Sequence, residues 1–219
     1  MKSKIWGPYA WNLYHAIPLY IHLQNEKFPE ADEWVRLWKN ILPCPTCQEH
    51  YGGYLESFEP SQLNLSNPYN LIQWSNYVHN HVSASLGKEK WSLQNLYDNY
   101  GYPNELRFWS RNLLIFVYLC LHSPHVAWKD LVKFLKLSTP YIPIQEEELA
   151  LWKEMMMYIP ENRSESFAWF EEFKPQWVKH WGGKWPSSLN KSTYLKRMRW
   201  ILTRPNRPSL PAMGAFIAI

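Results

Sequence analysis

Proline cuts this chain into helix-sized pieces, and that punctuation limits the folds open to it. Pro29, Pro43, Pro60, Pro68, Pro103, Pro124, Pro140, Pro143, Pro160 and Pro186 stand at nearly every junction between segments with helically spaced apolar residues. Proline has no N–H to donate and its ring crowds the preceding turn, so it marks helix starts and stops. No alternating stretch flanked by hairpin-turn residues competes. The spacing predicts helices over 8–25, 31–41, 44–57, 68–87, 91–99, 104–122, 124–137, 145–159, 163–180 and 188–203. The expected fold class is all-α.

Glycine is scarce, 8 in 219 residues, and neither G-x-G-x-x-G nor G-x-x-x-x-G-K-[ST] occurs. A nucleotide cofactor would therefore not be held in a Rossmann or P-loop manner. Tryptophan, by contrast, occurs 14 times, which suits either a planar ligand or ordinary core packing. No internal repeat is evident. A boundary near Gly101-Tyr102-Pro103 divides 1–100 from a second helical region, 101–219. That region is electrically lopsided. Residues 145–172 hold eight acidic groups against Lys153 and Arg163, while from Lys174 onward there are nine basic residues and no acidic one. Two helix faces of opposite charge packed together would explain this, as would contact with nucleic acid or another polyanion, helped by Trp177, Trp181, Trp185 and Trp200. The N-terminus is basic without a continuous apolar stretch, so no signal peptide is expected. The longest apolar run, Leu113 to Leu121, is about half of what a bilayer crossing needs. A soluble protein is expected.

Three cysteines cannot build a disulfide framework. Cys120 stands alone in an apolar run and reads as a buried core residue. Cys44 and Cys47 lie in Leu42-Pro43-Cys44-Pro45-Thr46-Cys47-Gln48-Glu49-His50-Tyr51. Pro43 should end one helix and Pro45 suits the first turn of the next, placing Cys44 at or near an N-cap with Cys47 one turn on. The positive helix end favours a thiolate there, and two sulfurs one turn apart can close a disulfide. Half a zinc site completed by His50, His79 or His81 is the competing reading.

Two more segments carry chemistry. In Trp6-Gly7-Pro8-Tyr9-Ala10-Trp11-Asn12-Leu13-Tyr14-His15, Trp11 and His15 are four apart and share a helix face. They would flank a flat ring or simply pack. In the segment from Trp74 to Lys88, His79, Asn80, Ser83 and Asn76 fall within about a quarter of the helix circumference, and His81 points elsewhere. That stripe is either a bound polar surface or a solvated one. Gly87 followed by Lys88 reads as a helix stop with a cation near the negative end.

In this order, W-G-x-x-x-W-x-x-x-H, P-C-x-x-C-x-x-H-Y and W-x-x-x-x-H-N-x-V-x-x-x-L-G-K resemble the Erv/ALR family of FAD-dependent sulfhydryl oxidases. The resemblance covers residues 6 to about 100. It implies a four-helix bundle with a short fifth helix, followed here by a second all-α C-terminal domain. It implies FAD as cofactor, Cys47 as the sulfur nearest the flavin, and Cys44 as the one exchanging with substrate. Trp11, His15, His79 and Asn80 would contact the cofactor, with Lys88 near its phosphates. Ser83 stands where the family usually has Asn, and a hydroxyl replaces only part of a carboxamide's hydrogen bonding. Expected partners are thiol-containing proteins or a thioredoxin-like carrier, with oxygen as acceptor, giving hydrogen peroxide. A homodimer is expected. The Cys-poor sequence looks most like members encoded by large DNA viruses, which act in the host cytoplasm and virion.

Overall fold

The computed structural model describes residues 3–100, 106–142, 144 and 146–181, and every regular element among them is helical. The helices are α1 (Ser3–Leu23), α2 (Ala31–Ile41), α3 (Pro45–Ser57), α4 (Pro68–Ser85), α5 (Leu93–Tyr100), α6 (Leu106–Leu121), α7 (Trp128–Ser138), α8 (Glu146–Met157) and α9 (Ser166–His180). Proline marks the starts of α3 and α4, where it occupies the first turn and its missing N–H costs nothing. Pro8 and Pro18 instead lie inside α1, which begins at Ser3 rather than at Pro8 as the punctuation predicts. α1 is buried nearly all round, and that packing holds the helix through both prolines. Likewise α7 begins at Trp128, not Pro124, because 123–127 form a turn. The predicted helix 188–203, Trp185 and Trp200 lie outside the described residues.

α1 is the central element, packed by α4, α5 and α6, while α2 lies between α3 and α7. The amphipathic α2 shows why. Trp34, Val35, Leu37, Trp38 and Ile41 are buried, and Asp32 and Arg36 form an ion pair on the other side. Trp34 and Trp38, one turn apart, meet Phe134 of α7 at ring separations of 5.7 and 4.9 Å. The Trp34 indole donates to Ser138 Oγ at 2.9 Å. One continuous cluster of buried apolar side chains runs from Trp6 to Trp177.

The helix order of the first half recurs in the second. α1, α2, α3 and α4 span 21, 11, 13 and 18 residues, with a short 3-10 helix before α4. α6, α7, α8 and α9 span 16, 11, 12 and 15, with a short 3-10 helix before α9. α1 packs on α6 and α2 on α7, each against its counterpart. Asn12, Leu13, Leu19 and His22 match Asn112, Leu113, Leu119 and His122 in a common register. So few matches explain why no repeat is evident from sequence. Among the described residues, no helix is long and apolar enough to cross a membrane.

Candidate active site

Cys44 is the N-cap of α3. Its extended backbone (φ −152°, ψ 114°) precedes Pro45 in the first turn, and its sulfur accepts the Cys47 N–H at 3.3 Å. An N-cap acceptor satisfies an otherwise orphaned helix donor, and the same N–H would stabilise a thiolate. Cys44 and Cys47 are joined as a disulfide with Cα atoms 5.2 Å apart. Both sulfurs are shielded, but Pro45 and Thr46 between them are exposed, so the turn itself reaches the surface.

Cys47 lines a pocket with Trp6, Ala10, Trp11 and Tyr14 of α1, Trp38 and Leu42, His50, Tyr51 and Tyr54 of α3, and Val78 and Val82 of α4. Cys44 is not in that lining. The polar atoms of Tyr14 and Tyr51 are turned on each other. Tyr51 donates to the Val35 carbonyl and Tyr14 to the Tyr51 oxygen, both at 2.9 Å. Burial raises the pKa of both phenols, so they stay neutral. The indole N–H groups of Trp6 and Trp38 are buried and have no hydrogen-bond partner among the described residues. An apolar, aromatic wall with two unsatisfied donors fits a planar heteroaromatic ring carrying acceptor atoms at its edge.

Trp11 joins this pocket to a second aromatic array. Its ring stacks on His15 at 5.2 Å and lies 5.2 Å from His79. His15 and His79 stack at 5.1 Å, Trp91 covers His79 at 4.3 Å, and Tyr100 lies 5.0 Å from His15. Hydrogen bonds fix the tautomers. The Ser75 hydroxyl donates to the Ile72 carbonyl, so Ser75 Oγ receives the His15 Nδ1 proton at 3.3 Å. His15 Nε2 is then an acceptor, and His79 Nδ1 donates to it at 3.0 Å.

Burial, aided by the neighbouring His79, pushes His15 well below the usual histidine range, and burial brings His79 down to about 4. Both rings are held neutral in the folded protein. The unfolded chain takes up these protons below about pH 6.5, so stability is full above that pH and falls as pH drops toward 4. For His79 alone the loss is about 3 kcal/mol. Thermal melts between pH 7.5 and 4.5 are expected to show this decline, and His79→Gln should make it shallower, with the share of His15 remaining. An unchanged slope in the variant would assign the acid sensitivity elsewhere.

Asn80 braces the array through the Trp91 backbone. The Asn80 carboxamide is spent on the main chain of Trp91, donating to its carbonyl at 2.9 Å and accepting its N–H at 2.7 Å. This clamp places the Trp91 indole on His79. Ser83 is buried one turn beyond His79. α4 ends in a Schellman motif. Gly87, at φ +66°, donates to the Ala84 carbonyl, and the Lys88 N–H reaches Ser83 O at 2.9 Å. Lys88 thus sits at the negative end of α4. His81 is exposed and packs on Tyr77. Among the described residues, no three His, Cys, Asp or Glu side chains are grouped to hold a metal ion. Sequence reasoning missed Trp6, Tyr14, Trp38, Tyr51, Ser75 and Tyr100. Trp6 and Tyr14 share one face of α1, but the others come from α2, α3, α4 and α5, and no local spacing links those helices.

A disulfide thus caps a helix at the wall of an aromatic pocket in an all-helical array. Residues 8–101 match the model of the Erv1 / Alr family. A probable FAD-linked sulfhydryl oxidase of Acanthamoeba polyphaga mimivirus is 29% identical over 91 residues, 41% of this chain and 64% of that protein. FAD-linked sulfhydryl oxidases of African swine fever virus, from the Kenya and Malawi isolates, are 29% identical over 118 residues, 48% of this chain and 96% of theirs. No solved structure matches the chain.

Proposed function

We propose that this chain is an FAD-linked sulfhydryl oxidase that makes disulfides in protein thiols. The observation that carries the reading is that Cys47 lines the aromatic pocket while Cys44, its disulfide partner, does not. The two sulfurs thereby divide into an inner and an outer one.

A substrate thiolate attacks Cys44 Sγ. The Cys44–Cys47 bond breaks, a mixed disulfide forms on Cys44, and Cys47 leaves as a thiolate at the pocket wall. A second substrate thiolate attacks the substrate sulfur of the mixed disulfide and releases Cys44. The sum converts two thiols and the protein disulfide into a product disulfide and the protein dithiol. The Cys47 N–H steadies the departing Cys44 thiolate, as does the N-terminal end of α3. FAD, when bound, supplies the two-electron acceptor that reoxidises the dithiol and passes the electrons to oxygen, giving hydrogen peroxide. Trp6, Trp11 and Trp38 would hold its ring, the His15–His79–Trp91 array would hold a second flat portion, and Lys88 would face its phosphates. The neutral tautomers of His15 and His79 keep positive charge out of that array.

Protein thiols reach Cys44 across the exposed Pro45-Thr46 turn, either directly or through a thioredoxin-like carrier. The resemblance to viral enzymes points to the host cytoplasm as the place of action. A homodimer has to use faces other than those of α1 and α2 that α6 and α7 cover. The deciding measurement is an absorbance spectrum. Purified protein is expected to be yellow, to carry flavin bands and to consume oxygen when given dithiothreitol. Colourless protein carrying zinc would sink the reading.

A further inference from the structure

Gln48 follows Cys47 directly, and its carboxamide grips the chain that leads into Cys44. Its Nε2 donates to the Leu42 carbonyl at 2.9 Å and to the His125 carbonyl at 3.0 Å, which uses both of its protons; Asn40 O lies at 3.4 Å. Its backbone N–H bonds the Cys44 carbonyl at 3.0 Å. His125 belongs to the turn between α6 and α7, and that turn is itself fastened. The Arg163 guanidinium donates to the carbonyls of Cys120, Leu121, Ser123 and Val126. Ala127 N donates to Asn40 O at 3.0 Å, and Asn40 Nδ2 to Asp130 at 2.8 Å. The second half of the chain thus forms a mould around residues 40–42, just ahead of the redox turn.

We propose that Gln48 is a positioning residue that sets the dithiol–disulfide equilibrium of Cys44 and Cys47. This rests on the redox reading of the pair but not on the flavin. When the disulfide is reduced, the two sulfurs must separate from bonding to van der Waals distance. A main chain held at Leu42 resists that movement, so the clamp favours the disulfide over the dithiol. The relevant exchange is protein disulfide plus two glutathione thiols going to protein dithiol plus glutathione disulfide, with two electrons passing to the protein pair.

Equilibration against glutathione redox buffers, read by thiol alkylation, tests this directly. Gln48→Met keeps the side-chain length and removes the donors, whereas Gln48→Lys restores donors facing the same carbonyls. The Met variant is expected to shift the equilibrium about tenfold toward dithiol, roughly 30 mV for a two-electron couple. The Lys variant is expected to stay close to the unsubstituted protein. A folded Met variant with an unmoved equilibrium, or Met and Lys variants shifted alike, would overturn the proposal. If the Met variant does not fold, Arg163→Lys loosens the mould without touching the redox turn. The same direction of shift is then expected, and an unmoved equilibrium counts against the clamp. The titration needs no cofactor, so colourless protein, the failure of the oxidase reading, leaves this equilibrium measurable.

Discussion

Replacing Cys47 with serine is expected to abolish thiol-dependent oxygen uptake while leaving the protein folded and yellow. Serine is nearly isosteric and cannot form the disulfide. The cross-link spans only three residues, so its loss releases little chain entropy and should barely lower the melting temperature. The pocket keeps its aromatic wall, because Trp6, Trp11 and Trp38 are held by their own helices rather than by the sulfur. Activity, however, needs a sulfur that can leave Cys44 and later re-form the bond. Loss of such a nucleophile costs at least about a thousandfold in rate. An oxygen electrode with dithiothreitol, run beside a visible spectrum, gives both readings. A yellow Cys47→Ser protein that still consumed oxygen at more than a few per cent of the original rate would remove Cys47 from the reaction.

The second large effect concerns the division at residue 101. A fragment of residues 1–100 is expected to be insoluble or to melt without cooperativity. Trp34, Trp38 and Phe28 are fully buried, and they are covered in large part by Phe134, Phe116 and Tyr141 from beyond the cut. Fully burying each large apolar side chain contributes about 1.5–3 kcal/mol. Exposing these three, together with the α1 face under α6, removes an amount comparable with a whole domain's stability of about 5–15 kcal/mol. The fragment also loses the acceptor for the Trp34 indole and the bonds that fasten Asn40. Circular dichroism melts of the soluble fraction measure the outcome. A folded, yellow, active fragment would show that 1–100 is a self-sufficient domain and that the later helices are an accessory.

Much of the local structure was legible because its causes are local. The N-cap at Cys44 follows from Pro43 and Pro45, and the stop at Gly87 from glycine's access to positive φ. The spacing of Trp11 and His15 by four places them on one face, and they stack there. The start of α1 is not legible locally, for the opposite reason. Pro8 looks like a boundary locally, but the burial of most of α1 outweighs the lost backbone bond. Asn80 shows the same limit, since placing it on the polar stripe gave no hint that the Trp91 main chain would take both ends of its carboxamide.

The sequence by itself therefore determined the helical class, the Cys44–Cys47 turn and the order of the three motifs. Periodicity, proline placement and capping act over only a few residues, and that range suffices for each of them. Tertiary structure alone decided which aromatic side chains surround Cys47, how His15, Ser75 and His79 share their protons, and how α6 and α7 cover α1 and α2. Those outcomes depend on side chains up to 104 residues apart, as in the Trp34–Ser138 bond. They are set by how helices pack, and no short-range pattern encodes that.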